Sequence, residues 1–136
     1  MIAFAALLSV ATLFGGMIFY SFGFAPFVFS ALPAADAGRL IRKAFPWYYL
    51  FVIAIAALGG LMLLPLNAPT GALLLAIAAG AVYARQGLMP QINAARDGQL
   101  QGDPAAKRRF TRLHGLSVAL NFVQLLAVGY ALHRFL

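Results

Sequence analysis

Four polar side chains recur at helical spacing near the C-terminal end of the chain: His114, Ser117, Asn121 and Gln124. They are separated by 3, 4 and 3 residues. At about 100° per residue, this spacing places all four within roughly 80° of a helix circumference. The stripe would be about 15 Å long at the helical rise. Imidazole, hydroxyl and carboxamide groups act through hydrogen bonds, so the pattern predicts either a ligand-binding surface or a surface that pairs helices.

Arg85 is a further candidate binding group, because it is an isolated charge at the end of a long apolar stretch. It follows Pro69 by 16 residues, which is roughly 24 Å of helix, and His114 is expected at a similar depth. We therefore predict that Arg85 and His114 lie together and can hold an anion. The alternative is that the flexible stem of Arg85 carries its guanidinium to the lipid headgroups.

Metal and catalytic chemistry have few groups to draw on. The chain has no cysteine, three acidic residues and two histidines, and no carboxylate lies within a predicted membrane span. The two histidines, His114 and His133, are too far apart on one predicted helix to share a metal ion. We predict no metal site and no catalytic residues, and we do not expect an enzyme.

The elements that must position these groups are membrane helices. The chain is 63% hydrophobic and 10% charged, its mean hydropathy is +0.88, and residues 1–35, 44–84 and 113–133 contain no Asp, Glu, Lys or Arg. A hydrocarbon layer of roughly 30 Å requires about 20 helical residues. The sequence therefore predicts an all-α, polytopic membrane protein in a single domain over residues 1–136. Its four transmembrane helices are predicted at about 2–32, 46–64, 69–93 and 104–135.

The basic residues predict how this bundle is oriented. Eight of the ten Lys and Arg side chains fall in or directly beside the first and third connections between helices, and the positive-inside rule places those connections in the cytoplasm and both termini outside. We expect an integral membrane protein of the bacterial inner membrane. Anionic lipid headgroups, rather than nucleic acid, should be the partners of the basic clusters. The residues expected to contact them are Arg39, Arg42, Lys43, Lys107, Arg108 and Arg109.

Two further patterns bear on helix packing. Small residues recur every four positions on the third helix, a spacing that lets another backbone approach closely. This stripe predicts an interface, and it could join two copies of the chain. Within the first helix, Pro26 should interrupt the helical ladder near Phe22. The residues of the small stripe are Ala72, Ala76, Gly80 and Ala84.

Four short motifs, in order along the chain, resemble the transmembrane protein 205-like family. They are Phe-Ser-Ala-Leu-Pro at 29–33, Ala-Phe-Pro-Trp-Tyr-Tyr at 44–49, Tyr-Ala-Arg at 83–85 with Met-Pro at 89–90, and Phe-Thr-Arg-Leu-His-Gly-Leu-Ser at 110–117 with Asn at 121. The resemblance implies a small four-helix membrane protein. Bacterial members of that family are largely of unknown function, and animal members are associated with platinum-drug resistance and membrane trafficking. The motif residues are Phe45, Pro46, Arg85, Pro90, His114, Gly115, Ser117 and Asn121.

Three functions are consistent with these features. In the first, Arg85 and the polar stripe form an intramembrane site for a ligand, as in a transport or efflux-associated protein. In the second, the bundle holds haem and His114 is its axial ligand. In the third, the stripe only pairs helices and the protein is structural or lipid-interacting.

Overall fold

The computed structural model of this chain describes residues 1–136 and contains helices and turns but no strand. Four helices are long and apolar enough to cross a membrane. Each has at least 30 residues, or about 45 Å at the helical rise, against a hydrocarbon layer of roughly 30 Å. The predicted set of four apolar helices is confirmed. We label them α1 (Ile2–Ala31), α2 (Ala34–Leu63), α3 (Ala68–Leu100) and α4 (Pro104–His133).

The helices are longer at one end of the bundle than the sequence pattern predicts. α2 begins at Ala34 rather than at Pro46, and α3 continues to Leu100 rather than ending near residue 93. Pro46 lies inside α2, because the residues before it are mostly good helix formers and because Ala37 and Ile41 pack on Val28 of α1. These contacts outweigh the tendency of a proline to begin or end a helix.

The α1–α2 and α3–α4 connections are therefore short turns, and most of the basic side chains lie on helix extensions rather than in loops. Only Leu32 and Pro33 separate α1 from α2, and only residues 101–103 separate α3 from α4. Gly102 has a φ of 87°, a backbone conformation that glycine adopts without strain. The side chain of Asp103 then caps α4 by accepting from the N–H of Ala105 at 2.9 Å. We call this end of the bundle the basic end.

The helices pack as an antiparallel bundle in which each contacts the next and α4 also packs on α1. The direction is evident from the neighbours of two glycines: Gly59 of α2 lies against Ser9, whereas Gly16 lies against Phe51. Most of the apolar core lies in the half of the bundle away from the basic end. The best-buried large side chains are Leu13, Met17, Leu74, Leu88, Val10, Val52 and Val128.

The backbones of α2 and α3 approach each other closely near their connecting turn. A Cβ atom at Gly71 would lie 2.7 Å from the backbone nitrogen of Leu64 and 2.9 Å from the carbonyl oxygen of Gly60. Gly60 and Gly71 therefore allow the two backbones to touch, as small residues do in membrane interfaces.

The predicted small-residue stripe of α3 does not form one interface within the chain. Ala72 and Ala76 are exposed, Ala84 is buried, and Gly80 lies against Gln124 of α4. The stripe therefore divides between the surface and two internal contacts. Self-association through its exposed part stays a prediction.

α1 and α3 each contain one wide, π-helical turn before a proline. The turn in α1 covers Phe19–Phe24 and the turn in α3 covers Ala84–Leu88. In both helices the residue before the proline donates its N–H to the carbonyl five residues back. Pro26 and Pro90 lack an N–H and crowd the preceding turn, and a π turn accommodates them without ending the helix. The predicted interruption at Pro26 therefore takes the form of a π turn.

Candidate functional site

Three helices meet at a polar cluster in the apolar part of the bundle. The hydroxyl of Tyr48 on α2 donates to the carboxamide oxygen of Asn121 on α4. The carboxamide nitrogen of Asn121 in turn donates to the hydroxyl of Ser21, within the π turn of α1, at 3.1 Å. Asn121 thus uses both ends of its amide between two other helices, so it faces protein rather than acyl chains.

Aromatic rings enclose this cluster on the side of α1 and α2. The rings of Tyr20 and Tyr48 stack with centroids 4.1 Å apart and planes inclined by 15°, and Phe45 packs on Tyr20 at 5.7 Å. The hydroxyl of Tyr20 is buried and has no hydrogen-bond partner within the chain. Buried polar atoms without partners are uncommon in proteins, so this hydroxyl is a free hydrogen-bonding group beside the cluster.

The cluster borders a cavity of about 410 Å³ between α1, α2 and α4. Its lining comes from residues within 20–29, 41–49 and 114–125, is mostly hydrophobic, and includes no Asp, Glu, Lys or Arg. Both halves of α1 pack on α2, whereas α4 packs mainly on the first half of α1. This divergence leaves space between α4 and the second half of α1. We call this space the apolar cavity.

Side chains at the rim of the apolar cavity are also exposed on the outside of the bundle. Phe22 and Phe29 of α1 stand on one side, and Val118 and Phe122 of α4 stand on the other. All four are at least half exposed. Because these side chains both line the cavity and reach the outer surface, the cavity is open sideways between α1 and α4. This outer surface is apolar and lies on helices that can span a membrane, so the opening faces the region that lipid would occupy.

The predicted stripe on α4 divides between the cavity and the bundle interior. Ser117 and Asn121 line the apolar cavity, and Ser117 donates to the carbonyl of His114 at 2.8 Å. His114 lies at the rim, is exposed, and stacks on Phe110 with ring centroids 5.5 Å apart. Gln124 instead faces α3, where it donates to the carbonyl of Ile77 at 3.1 Å. Gln124 therefore pairs helices, while the other three residues border the cavity.

The structure does not bring Arg85 to the stripe. Its Nε donates to the carbonyl of Pro46 at 3.3 Å, and Arg85 does not line the apolar cavity. No hydrogen bond joins Arg85 to His114 in the structure. Arg85 lies within the π turn at Ala84–Leu88, and its guanidinium contacts α2 rather than α4.

A second cavity, of about 520 Å³, adjoins the first at the basic end. Its lining includes Arg39 and Arg42 of α2 and Arg96 of α3. Four residues line both cavities, so the two are neighbouring parts of one groove. The shared residues are Phe29, Ile41, Phe45 and His114. We call the second space the basic cavity.

The sequence patterns did not indicate Tyr20, Ser21 or Tyr48 as members of the site. The available signal was the serine at position 21 in an otherwise apolar segment, five residues before a proline. The haem hypothesis stays a prediction: His114 is the one histidine bordering either cavity, and an absorption spectrum of protein from haem-replete cells would test it.

Comparison with known proteins places the chain in a family. The model of a family described as a domain of unknown function, DUF4149, matches residues 8–101, which is more than two thirds of the chain. The match includes most of α1 and all of α2 and ends after α3, so α4 lies outside it. No curated protein and no solved structure matches the chain. The name transmembrane protein 205-like is not confirmed by these comparisons. The chain is a four-helix, membrane-type member of the DUF4149 family.

Proposed function

We propose that this protein binds a small amphipathic molecule that enters the apolar cavity from the bilayer. The observation that carries the proposal is the polar cluster of Ser21, Tyr48 and Asn121 beside a sideways-opening cavity of about 410 Å³. An apolar cavity with a few convergent polar groups is typical of a small-molecule site. Three of the five predicted binding residues, His114, Ser117 and Asn121, line this cavity.

The chemistry of the lining indicates the kind of molecule. Aromatic and aliphatic side chains favour a hydrocarbon or flat apolar body. The Asn121 amide, which uses one of its two N–H groups on Ser21, can donate the other to a polar group of the ligand. The absence of Asp, Glu, Lys and Arg from the lining favours an uncharged part of the ligand at this depth, since burying an unpaired charge is costly.

The proposal includes an orientation and a location for the bundle. The basic end carries Arg39, Arg42 and Lys107 among others, and the positive-inside rule then places it in the cytoplasm, with both chain ends outside. The apolar cavity would open into the cytoplasmic leaflet of a bacterial inner membrane. A role in transport or efflux would begin with binding at this position.

The test is ligand-dependent thermal stability of the purified protein in detergent, with a neutral monoacylglycerol as the probe. A molecule that binds the folded state raises its stability by mass action. We expect monoacylglycerol to raise the unfolding temperature of the wild type and to have no effect on Asn121→Leu. Gln124→Leu is the matched control, because Gln124 is a carboxamide on the same helix outside the cavity. It should lower the starting stability and keep the ligand-induced increase.

A second variant addresses the same cavity without removing a hydrogen bond. Ala25 lines the apolar cavity, and Ala25→Phe would fill part of it. The ligand-induced increase should be lost in this variant as well. No increase in the wild type, or an equal increase in Asn121→Leu and Ala25→Phe, would contradict the proposal.

A further inference from the structure

We propose that the groove formed by the two cavities binds a singly charged anionic amphiphile, with its acidic headgroup on Arg96 and its chain in the apolar cavity. This inference rests on the proposed function and adds the chemical class of the ligand. The two cavities are contiguous because His114, Phe29, Ile41 and Phe45 line both. The basic cavity is lined by arginines, whereas the lining of the apolar cavity has no Asp, Glu, Lys or Arg. The groove is therefore amphipathic along its length.

The ion pairs of the basic cavity leave one positive charge without a carboxylate. Arg42 forms a two-point ion pair with Asp97, with N to O distances of 2.6 and 3.1 Å, and Arg39 pairs with Asp36. Arg96 forms no salt bridge. Three arginines line the cavity and two of them are paired with aspartates, so the groove has a net charge that matches one anionic headgroup.

Arg96 is held in place while most of its hydrogen-bond donors stay unused. Its Nη1 donates to the side-chain oxygen of Gln99 at 3.1 Å, and its guanidinium carbon lies 5.4 Å from the centre of the Phe110 ring. A guanidinium has five N–H donors in a planar fork that suits carboxylate and phosphate oxygens. Since a single donor is used by Gln99, the others are available to an acidic headgroup.

The length of the groove agrees with one leaflet of a bilayer. Along α4 the apolar cavity is lined from His114 to Leu125, which is about 16 Å at the helical rise. Half of a hydrocarbon layer of roughly 30 Å is about 15 Å. A single chain whose headgroup is at the basic end would therefore extend along the cavity to about the middle of the membrane.

This binding differs from the general attraction of anionic lipid to the basic residues. Lys107, Arg108 and Arg109 are exposed on α4 and line neither cavity. Headgroups gathered by such residues would be exchangeable and numerous. The groove instead predicts one saturable ligand for each chain, and its affinity should depend on Arg96.

The experiment compares oleate with monoolein, which has the same chain and a neutral headgroup, by equilibrium binding to the purified protein. We expect oleate to bind the wild type at one molecule per chain and about tenfold more tightly than monoolein, the ratio expected for one charge-assisted hydrogen bond. Arg96→Gln should reduce oleate affinity to that of monoolein and leave monoolein binding unchanged. Arg96→Lys should keep most of the preference, and Arg108→Gln is the matched control, expected to change neither. Lysophosphatidylglycerol, tested in parallel, would distinguish a phosphodiester headgroup from a carboxylate.

The results separate this inference from the proposed function. In one outcome, the wild type binds oleate and monoolein with equal affinity, and Asn121→Leu binds neither. That result would overturn the proposed contact between an anionic headgroup and Arg96, and it would support the apolar cavity as the binding site. Equal weakening of oleate binding by Arg96→Gln and Arg108→Gln would overturn the groove in favour of general attraction to basic residues. Binding of none of the three amphiphiles to the wild type would overturn both proposals.

Discussion

The hydroxyl of Tyr48 and the carboxamide of Asn121, which are 73 residues apart in the chain, form a hydrogen bond between α2 and α4. The same amide donates to Ser21 of α1, so one side chain joins three helices. In water such a bond competes with solvent, whereas here its partners lie at a cavity with an apolar lining. Asn121 therefore has two roles, linking the helices and presenting a polar group to the cavity.

Removal of the Tyr48 hydroxyl should weaken the bundle. We expect Tyr48→Phe to lower the free energy of unfolding in detergent by about 1 kcal/mol, because the Asn121 oxygen then has no donor. Tyr49→Phe is the control, since the Tyr49 ring is equally buried and its hydroxyl forms no side-chain hydrogen bond in the structure. In a double-mutant cycle, Tyr48→Phe and Asn121→Leu should be non-additive. Additive effects would mean that the two side chains do not interact.

Enlargement of Gly71 should separate α2 from α3. A Cβ atom there meets backbone atoms of Leu64 and Gly60 at under 3 Å, and backbone cannot move aside as a side chain can. We expect Gly71→Ala to destabilise the protein by about 1–3 kcal/mol, as overpacking does. At Gly15 a Cβ atom would meet nothing within 4 Å, so Gly15→Ala should be neutral or slightly stabilising. Equal stability of the two variants would contradict the close helix contact.

The π turn of α1 should depend on Pro26. With Pro26→Ala the regular ladder can form through this segment, and the conversion of a π turn to an α turn would rotate Ser21 relative to the rest of α1. Because the chain has no cysteine, a Ser21→Cys, Asn121→Cys pair can report their proximity through a short thiol crosslinker. We expect efficient crosslinking with Pro26 present and weaker crosslinking in Pro26→Ala. Undiminished crosslinking would show that the turn forms without the proline.

The orientation of the bundle can be measured on the same cysteine-free background. Leu66 lies in the α2–α3 turn and Arg108 near the basic end, and both side chains are exposed. In intact spheroplasts, a membrane-impermeant thiol reagent should label Leu66→Cys, and it should label Arg108→Cys only after permeabilisation. The opposite pattern would reverse the orientation given by the positive-inside rule.

The number of helices was readable from the sequence because hydropathy and length act locally. A span of about 20 apolar residues can be stable in a bilayer whatever its neighbours. The N-terminal caps of α3 and α4 are also local, because Asn67 accepts from the N–H of Thr70 and Asp103 accepts from the N–H of Ala105. The helix bounds at the basic end were less predictable. There the helix propensity of residues 34–45 and the packing of Ala37 on α1 favour a longer α2, whereas Pro46 favours a helix start. The packing of Ala37 depends on a different helix, so it cannot be read from the local sequence.

The sequence by itself determined that the chain is a bundle of four apolar helices with one polar stripe on the last, since periodicity within a helix requires no tertiary contact. Only the tertiary structure decided which stripe residues meet the cavity, that Arg85 turns to the Pro46 carbonyl, and that Ser21 and Tyr48 complete the site. The physical reason is that the rotation of each helix about its axis is set by π turns and close glycine contacts between segments distant in the chain. Those contacts, rather than the spacing within any one helix, bring the polar side chains of three helices together.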